Sequence, residues 1–247
     1  MTDNWDFYAL RVDNEPASIF VDLGIQPDAP VTSLPHMTYI RLYMNQPQPD
    51  GLSSQEEFDT LINIEKALEA NLCGDDVGYV GRNTYGGCRD FYFYAATAED
   101  WQSKVDGVLL VFGDYKYETA AREDAEWSTY LSFLLPGRTD RQRIENRRVC
   151  EALERHGDKL VAERALDHLS YFPSSAAVDA YLVDVQSQGF QARARPVSDE
   201  GTLRYGAQVW RVDVPSYSNI DDVTLPLFEA TARYGGEYDG WECPVEA

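Results

Sequence analysis

Positive charge is what this chain of 247 residues has least of: 21 Lys and Arg stand against 42 Asp and Glu, a formal net charge of −21. Binding to a phosphate backbone needs clustered cations, so direct contact with nucleic acid is disfavoured. A strongly acidic field instead speeds encounter with basic partners, although acidity also serves solubility alone. Histidine is scarce as well. His36, His156 and His168 are too far apart to suggest a local metal box, and no His-Glu-x-x-His occurs. His156 suits the last turn of a helix, and His168 lies on an expected strand. The four cysteines, Cys73, Cys88, Cys150 and Cys243, are widely scattered with no Cys-x-x-Cys pair, which points to reduced thiols.

The common signatures of catalysis are missing too. There is no Gly-x-x-x-x-Gly-Lys-Ser/Thr loop, no Gly-x-Gly-x-x-Gly and no Gly-x-Ser-x-Gly elbow. Acidic pairs at Glu56-Glu57, Asp75-Asp76 and Asp221-Asp222 can in principle bind metal, but two of them open helices, where carboxylates answer the helix dipole. No catalytic residue, metal or cofactor is therefore expected. No apolar run is long enough for a membrane span, and the Met1-Thr2-Asp3-Asn4-Trp5 start is not a basic leader. The expectation is a soluble cytoplasmic protein.

What the chain does have is material for packed cores, with 44% apolar and 13% aromatic residues. Its best internal boundary is Leu134-Leu135-Pro136-Gly137-Arg138-Thr139-Asp140, where a Pro-Gly turn signal meets a helix start. Two α+β domains are expected, 1–138 and 139–247.

In the second domain a helix from Arg141 to about His156, with Thr139 and Gln142 at capping-box spacing, precedes a strand at Leu166 to Phe172. A helix follows Pro173-Ser174, with Val178, Tyr181, Leu182 and Val185 at helical spacing. Phe190 to Val197 and Gly206 to Val214 read as strands joined by the turn Ser198-Asp199-Glu200-Gly201. A last helix carries an awkward Pro226, which should bend it or delay its start. The final strand runs from Glu237 to about Val245. The order β-α-β-β-α-β predicts a ferredoxin-like split βαβ sandwich.

The first domain reads as a related antiparallel sheet with helices. Strands are expected at Trp5 to Arg11, Ser18 to Leu23, His36 to Met44, a hairpin Val77 to Tyr85 and Cys88 to Ala95 around Gly86-Gly87, and Asp114 to Thr119. Helices are expected from Ser53-Ser54 to Gly74, with Phe58, Leu61, Ile62, Leu68 and Leu72 tracing its inner edge and Glu65 the exception on it, near Ala98 to Val105, and around Trp127 to Leu134. Tyr79, Arg82, Asn83, Tyr85 and Arg89 are the candidate small-ligand or peptide site, since Arg offers a fork for carboxylate or phosphate and Tyr a flat amphipathic surface. Cross-strand stacking in a sheet explains the same residues. Arg138, Arg141, Arg143, Arg147 and Arg148 form the one basic island, for which pairing with nearby acids is the simplest account.

Glu237-Tyr238-Asp239-Gly240-Trp241, after a helix ending in Arg233-Tyr234-Gly235-Gly236 and with a long helix and the Leu166 to Phe172 strand upstream, resembles the ribonuclease E inhibitor family known as RraB over roughly the last hundred residues. That resemblance implies a binding protein that is not an enzyme, and a basic partner segment, the largely disordered tail of ribonuclease E. The chain departs from the family by its large N-terminal domain and by Glu242-Cys243-Pro244 where the family tends to continue with Gly-Thr-Tyr. Residues 1 to 138 resemble an uncharacterised bacterial domain found alone or fused to RraB-like domains, through Pro49-Asp50-Gly51-Leu52, Tyr79 to Thr84, Arg89-Asp90-Phe91-Tyr92-Phe93-Tyr94 and Asp124-x-x-Trp127-x-x-Tyr130. As an edge strand, Glu237 to Val245 can accept a partner strand, with Glu237, Tyr238, Asp239 and Trp241 as partner-binding residues. In the other account Trp241 packs under a helix and Gly240 makes a bulge. A binding module for a different basic protein, or for a small anionic ligand at the Tyr79 to Arg89 cluster, is the alternative function.

Overall fold

The computed structural model describes residues 2–12, 14–195 and 202–246. It divides into two compact units, Met1–Gly137 and Arg138–Ala247.

In the first unit, strands β1 (Trp5–Val12), β2 (Glu15–Asp22), β3 (His36–Tyr43), β4 (Val77–Tyr85), β5 (Cys88–Ala95) and β6 (Lys116–Glu123) form one sheet in the order β1-β2-β4-β5-β3-β6. Every neighbouring pair is antiparallel. The hairpin between β4 and β5 turns on Gly86 and Gly87, both at positive φ (58° and 78°), as a two-residue loop demands. β6 outlasts the expected Thr119 because it pairs with β3 along its whole length, to Glu123.

Helices α1 (Gln55–Leu72) and α2 (Trp101–Leu109) cover one face of this sheet, burying Leu61, Ile64, Leu68, Trp101 and Val105 against Ile40, Leu42, Phe91 and Phe93. The inward stripe of α1 differs from the expected one. Phe58 is exposed, and Glu57 turns inward instead, its carboxylate accepting the Asn45 and Gln46 amides at 2.7 and 2.8 Å. Two charge-assisted bonds thus set the rotation of the helix. On the opposite face, Trp127 to Leu134 is not a plain α-helix: Thr129–Leu134 is a π-helical turn, closed by the Leu135 amide on the Tyr130 carbonyl.

The second unit opens with α3 (Arg138–Arg155), followed by β7 (Arg164–Phe172), α4 (Ser175–Ser187), β8 (Gln191–Ala194), β9 (Tyr205–Asp213), α5 (Ile220–Arg233) and β10 (Glu237–Glu242). The antiparallel sheet has the order β10-β7-β9-β8, the ferredoxin-like arrangement, with the first strand central and the last at an edge. The expected turn at 198–201 and the end of its first strand lie outside the described residues. Thr139 is inside α3, so it does not cap it, and Gln142 bonds to Asn146 instead. Pro226 sits within α5, which starts at Ile220 without delay.

Between α5 and β10 the chain passes through Gly235, at φ 72°, and Gly236, where a Cβ would lie 2.6 Å from the Tyr171 carbonyl and 2.5 Å from the Phe172 ring. Gly236 therefore lets the helix end against β7. Gly236→Ala should destabilise the protein by about 1–3 kcal/mol in urea unfolding, because backbone and ring must both give way. An unchanged midpoint would show that the contact is softer than it looks.

Candidate functional site

β10 is an edge strand whose side chains do not alternate regularly. Its register on β7 shifts between Tyr238 and Gly240, and Gly240 has φ 123°. In a regular strand residues three apart face opposite ways; the extra residue here turns both Tyr238 and Trp241 inward. The Tyr238 hydroxyl is 2.7 Å from Nδ1 of His168, and the Trp241 indole donates to Asn146 Oδ1 at 3.2 Å. Glu237, Asp239 and Glu242 are left exposed. Of the two accounts of these aromatics, the structure has them in the core. What the edge presents outward is its carboxylates and its free backbone side, since among the described residues β10 pairs with β7 alone.

Beneath the strand lies a seam of buried polar groups. Asn146, fully buried on α3, donates to Asp221 Oδ1 (2.7 Å) and Thr224 Oγ1 (2.6 Å), and accepts from Gln142 and Trp241. One amide thereby ties α3 to α5 and β10. Ser170 and Thr231 are 2.9 Å apart further along. Part of the arginine island on α3 is paired locally, Arg143 with Asp140 and Arg148 with Glu145, each at 2.9 Å.

The Tyr79 to Arg89 cluster is not one accessible surface. Tyr79 is buried and donates to Glu65 of α1 at 2.8 Å, and Arg82 grips both Glu65 oxygens at 2.6 and 2.8 Å with its guanidinium 4.5 Å from the Phe20 ring. A second shift of register, between Tyr79 and Gly81, puts these two on the same face. Arg89, 2% exposed, reaches Ser53 Oγ at 3.3 Å. Burial, and then the charge of Arg82, pulls its pKa down to about 10. Asn83 is buried opposite Asp90, and Tyr85 is half-buried at the hairpin. The reading of these five residues as a ligand site is corrected: α1 covers the face that Tyr79, Arg82 and Arg89 share. On the reverse of β5 stand Asp90 and Tyr92, which alternate with Arg89 and Phe91; strict period-two alternation is the signal that separates the two faces.

Among the described residues no group of three or more His, Cys, Asp or Glu is placed to hold a metal ion, and no helix is long and apolar enough to cross a membrane.

Comparison with known families fits this two-part build. The model of a family of unknown function, DUF695, matches residues 3–135, more than half of the chain. The chain belongs to DUF695. Its remaining part, residues 143–243, matches the model of Regulator of ribonuclease activity B, so a DUF695 unit is joined to an RraB-like one. No curated protein matches the chain. A crystal structure described as an unknown protein from Galdieria sulphuraria aligns over 84% of this chain and 96% of its own, at 10% identity and a TM-score of 0.23. So low a score carries no argument. Charge is divided unevenly: residues 1–137 hold 23 Asp and Glu against 8 Lys and Arg, a net −15, and residues 138–247 hold 19 against 13, a net −6.

His168 makes the seam of the RraB-like unit sensitive to acid. Burial, with a smaller contribution from Arg211, lowers its pKa from 6.5 to about 3. The unfolded chain therefore takes up this proton first, and the stability tied to neutral His168 is present above pH 6.5 and lost as pH falls toward 3. Melting temperature should drop over that window, and His168→Gln should flatten the drop. Equal slopes for the two proteins would remove His168 from the account.

Proposed function

We propose that the chain is a non-enzymatic regulator whose RraB-like unit takes up a basic, extended segment of another protein along β10, and that this segment is the basic tail of ribonuclease E, so that binding alters RNA turnover in the cytoplasm. The match of residues 143–243 to Regulator of ribonuclease activity B is the observation that carries this reading. The edge position of β10 and the outward Glu237, Asp239 and Glu242 support it. An exposed strand edge offers backbone hydrogen bonds to an extended peptide, and carboxylates beside it favour Lys and Arg.

In this proposal residues 1–138 and 139–247 divide the work. The DUF695 unit, with most of the net negative charge, steers basic chains at long range, while the RraB-like unit supplies the strand they join. Tyr238 and Trp241 contribute by anchoring β10 from below, and Glu237 and Asp239 make the contact.

Titrating the full chain with a labelled peptide from the basic tail of ribonuclease E tests this. Binding should be clear at about 30 mM salt and weaken strongly by about 300 mM, where the Debye length is shorter than the reach of surface charges. Reversing both charges, Glu237→Lys with Asp239→Lys, should weaken binding by roughly tenfold with little change in stability. Absence of binding at low salt sinks the proposal, and binding indifferent to the double reversal removes β10 from it.

A further inference from the structure

The face of the DUF695 sheet turned away from α1 and α2 carries a cleft that belongs to neither the β10 edge nor the Tyr79 to Arg89 cluster. Alternation on β5 sends Asp90 and Tyr92 to this side, and alternation on β3 sends Tyr39 and Arg41. The register sets Tyr39 directly opposite Tyr92 and Arg41 opposite Asp90. β6 adds Arg122, and the π-helical turn adds Thr129 and Phe133 as a wall. Together these enclose about 340 Å³.

The lining is aromatic with two arginines. Tyr39 and Tyr92 stack at 6.2 Å, and Phe133, 40% exposed, meets Tyr92 edge-on at 5.8 Å. The arginines are not equivalent. Arg41 forms a two-pronged pair with buried Asp90 at 2.8 and 2.7 Å, so its charge is balanced by that carboxylate. Arg122 donates to Thr129 Oγ1 at 2.7 Å and makes no ion pair among the described residues. In a unit of net charge −15 it is a cation facing an aromatic cleft without a carboxylate of its own.

The wall is held in place before any ligand arrives. Asp124 accepts from the Tyr94 hydroxyl (2.7 Å), from the Ser128 amide and hydroxyl (2.8 and 2.6 Å) and from the Thr129 amide (3.0 Å). Trp127, at φ 54°, stacks on Tyr94 at 4.0 Å and donates to the Leu34 carbonyl at 3.0 Å. Strained backbone held this firmly is typical of sites that must be rigid, and a preformed wall spares a ligand the cost of ordering it.

We propose that this cleft binds a small aromatic carboxylate, with the carboxylate on the Arg122 guanidinium and the ring against Tyr39, Tyr92 and Phe133. One uncancelled guanidinium matches one monoanionic carboxylate, whose two oxygens fit its fork. A phosphate dianion would keep a charge unmet, and a cation would face an Asp90 already satisfied by Arg41. The volume is at the small end of ligand sites and suits a ligand with a single ring system.

Calorimetric titration of the full chain with phenylacetate and indole-3-acetate tests the assignment, with 2-phenylethanol as the uncharged control and acetate as the ringless one. Both aromatic acids should bind saturably and both controls much more weakly. Arg122→Gln should weaken the acids by roughly tenfold or more, since a charge-assisted bond is lost, and Phe133→Ala should weaken them several-fold. Both side chains are exposed, so melting temperatures should stay at the wild-type value. No saturable binding of either acid up to about 5 mM, equal affinity for 2-phenylethanol, or undiminished binding by Arg122→Gln each overturns the proposal.

Discussion

The pleat of a β-sheet sends residues three apart to opposite faces, and one extra residue in a strand cancels that rule. Both units depend on this. In β4 the irregularity between Tyr79 and Gly81 brings Tyr79 and Arg82 together onto Glu65. In β10 the one between Tyr238 and Gly240 brings Tyr238 and Trp241 together onto His168 and Asn146. Each bulge thus delivers two polar-tipped side chains to buried partners on the covering helices or the neighbouring strand. Without those partners each hydroxyl, indole or guanidinium would be stranded in the interior at a cost of about 1–3 kcal/mol or more.

This explains which parts of the fold were legible in the sequence. Ile40, Leu42 and Met44 alternating with Tyr39, Arg41 and Tyr43 announced β3, Gly86-Gly87 announced the hairpin, and the order of elements after Arg164 announced the ferredoxin-like sheet. Those signals are local and repeat along the chain. The bulges are harder to read: a glycine inside a strand, Gly81 or Gly240, marks where one can form, but whether it forms is fixed by what the strand is registered against. For the same reason the conspicuous residues from Glu237 to Trp241 read equally well as interface or core. The rotation of α1 was hidden too, since it follows from Glu57 finding two amides in the chain that leaves β3.

The three arginines that matter most in the DUF695 unit show how environment decides role. Arg89 is buried with a depressed pKa, and Arg82 is locked to a carboxylate on the helix above it. Arg122, exposed on the opposite face, donates to Thr129 and has no carboxylate partner among the described residues. The sequence singles out Arg82 and Arg89 and passes over Arg122, because residue type carries no information on which layer of a sandwich will cover it. Arg82 ties α1 to the sheet through Glu65, a role that Arg122, on the other face, does not have.

Arg89-Asp90-Phe91-Tyr92-Phe93-Tyr94 is therefore two texts interleaved in one strand. Arg89, Phe91 and Phe93 look toward the helices, while Asp90 and Tyr92 look into the cleft. Substitution at the first set should therefore act through the helix-packed core, and substitution at the second through the shape and charge of the opposite face.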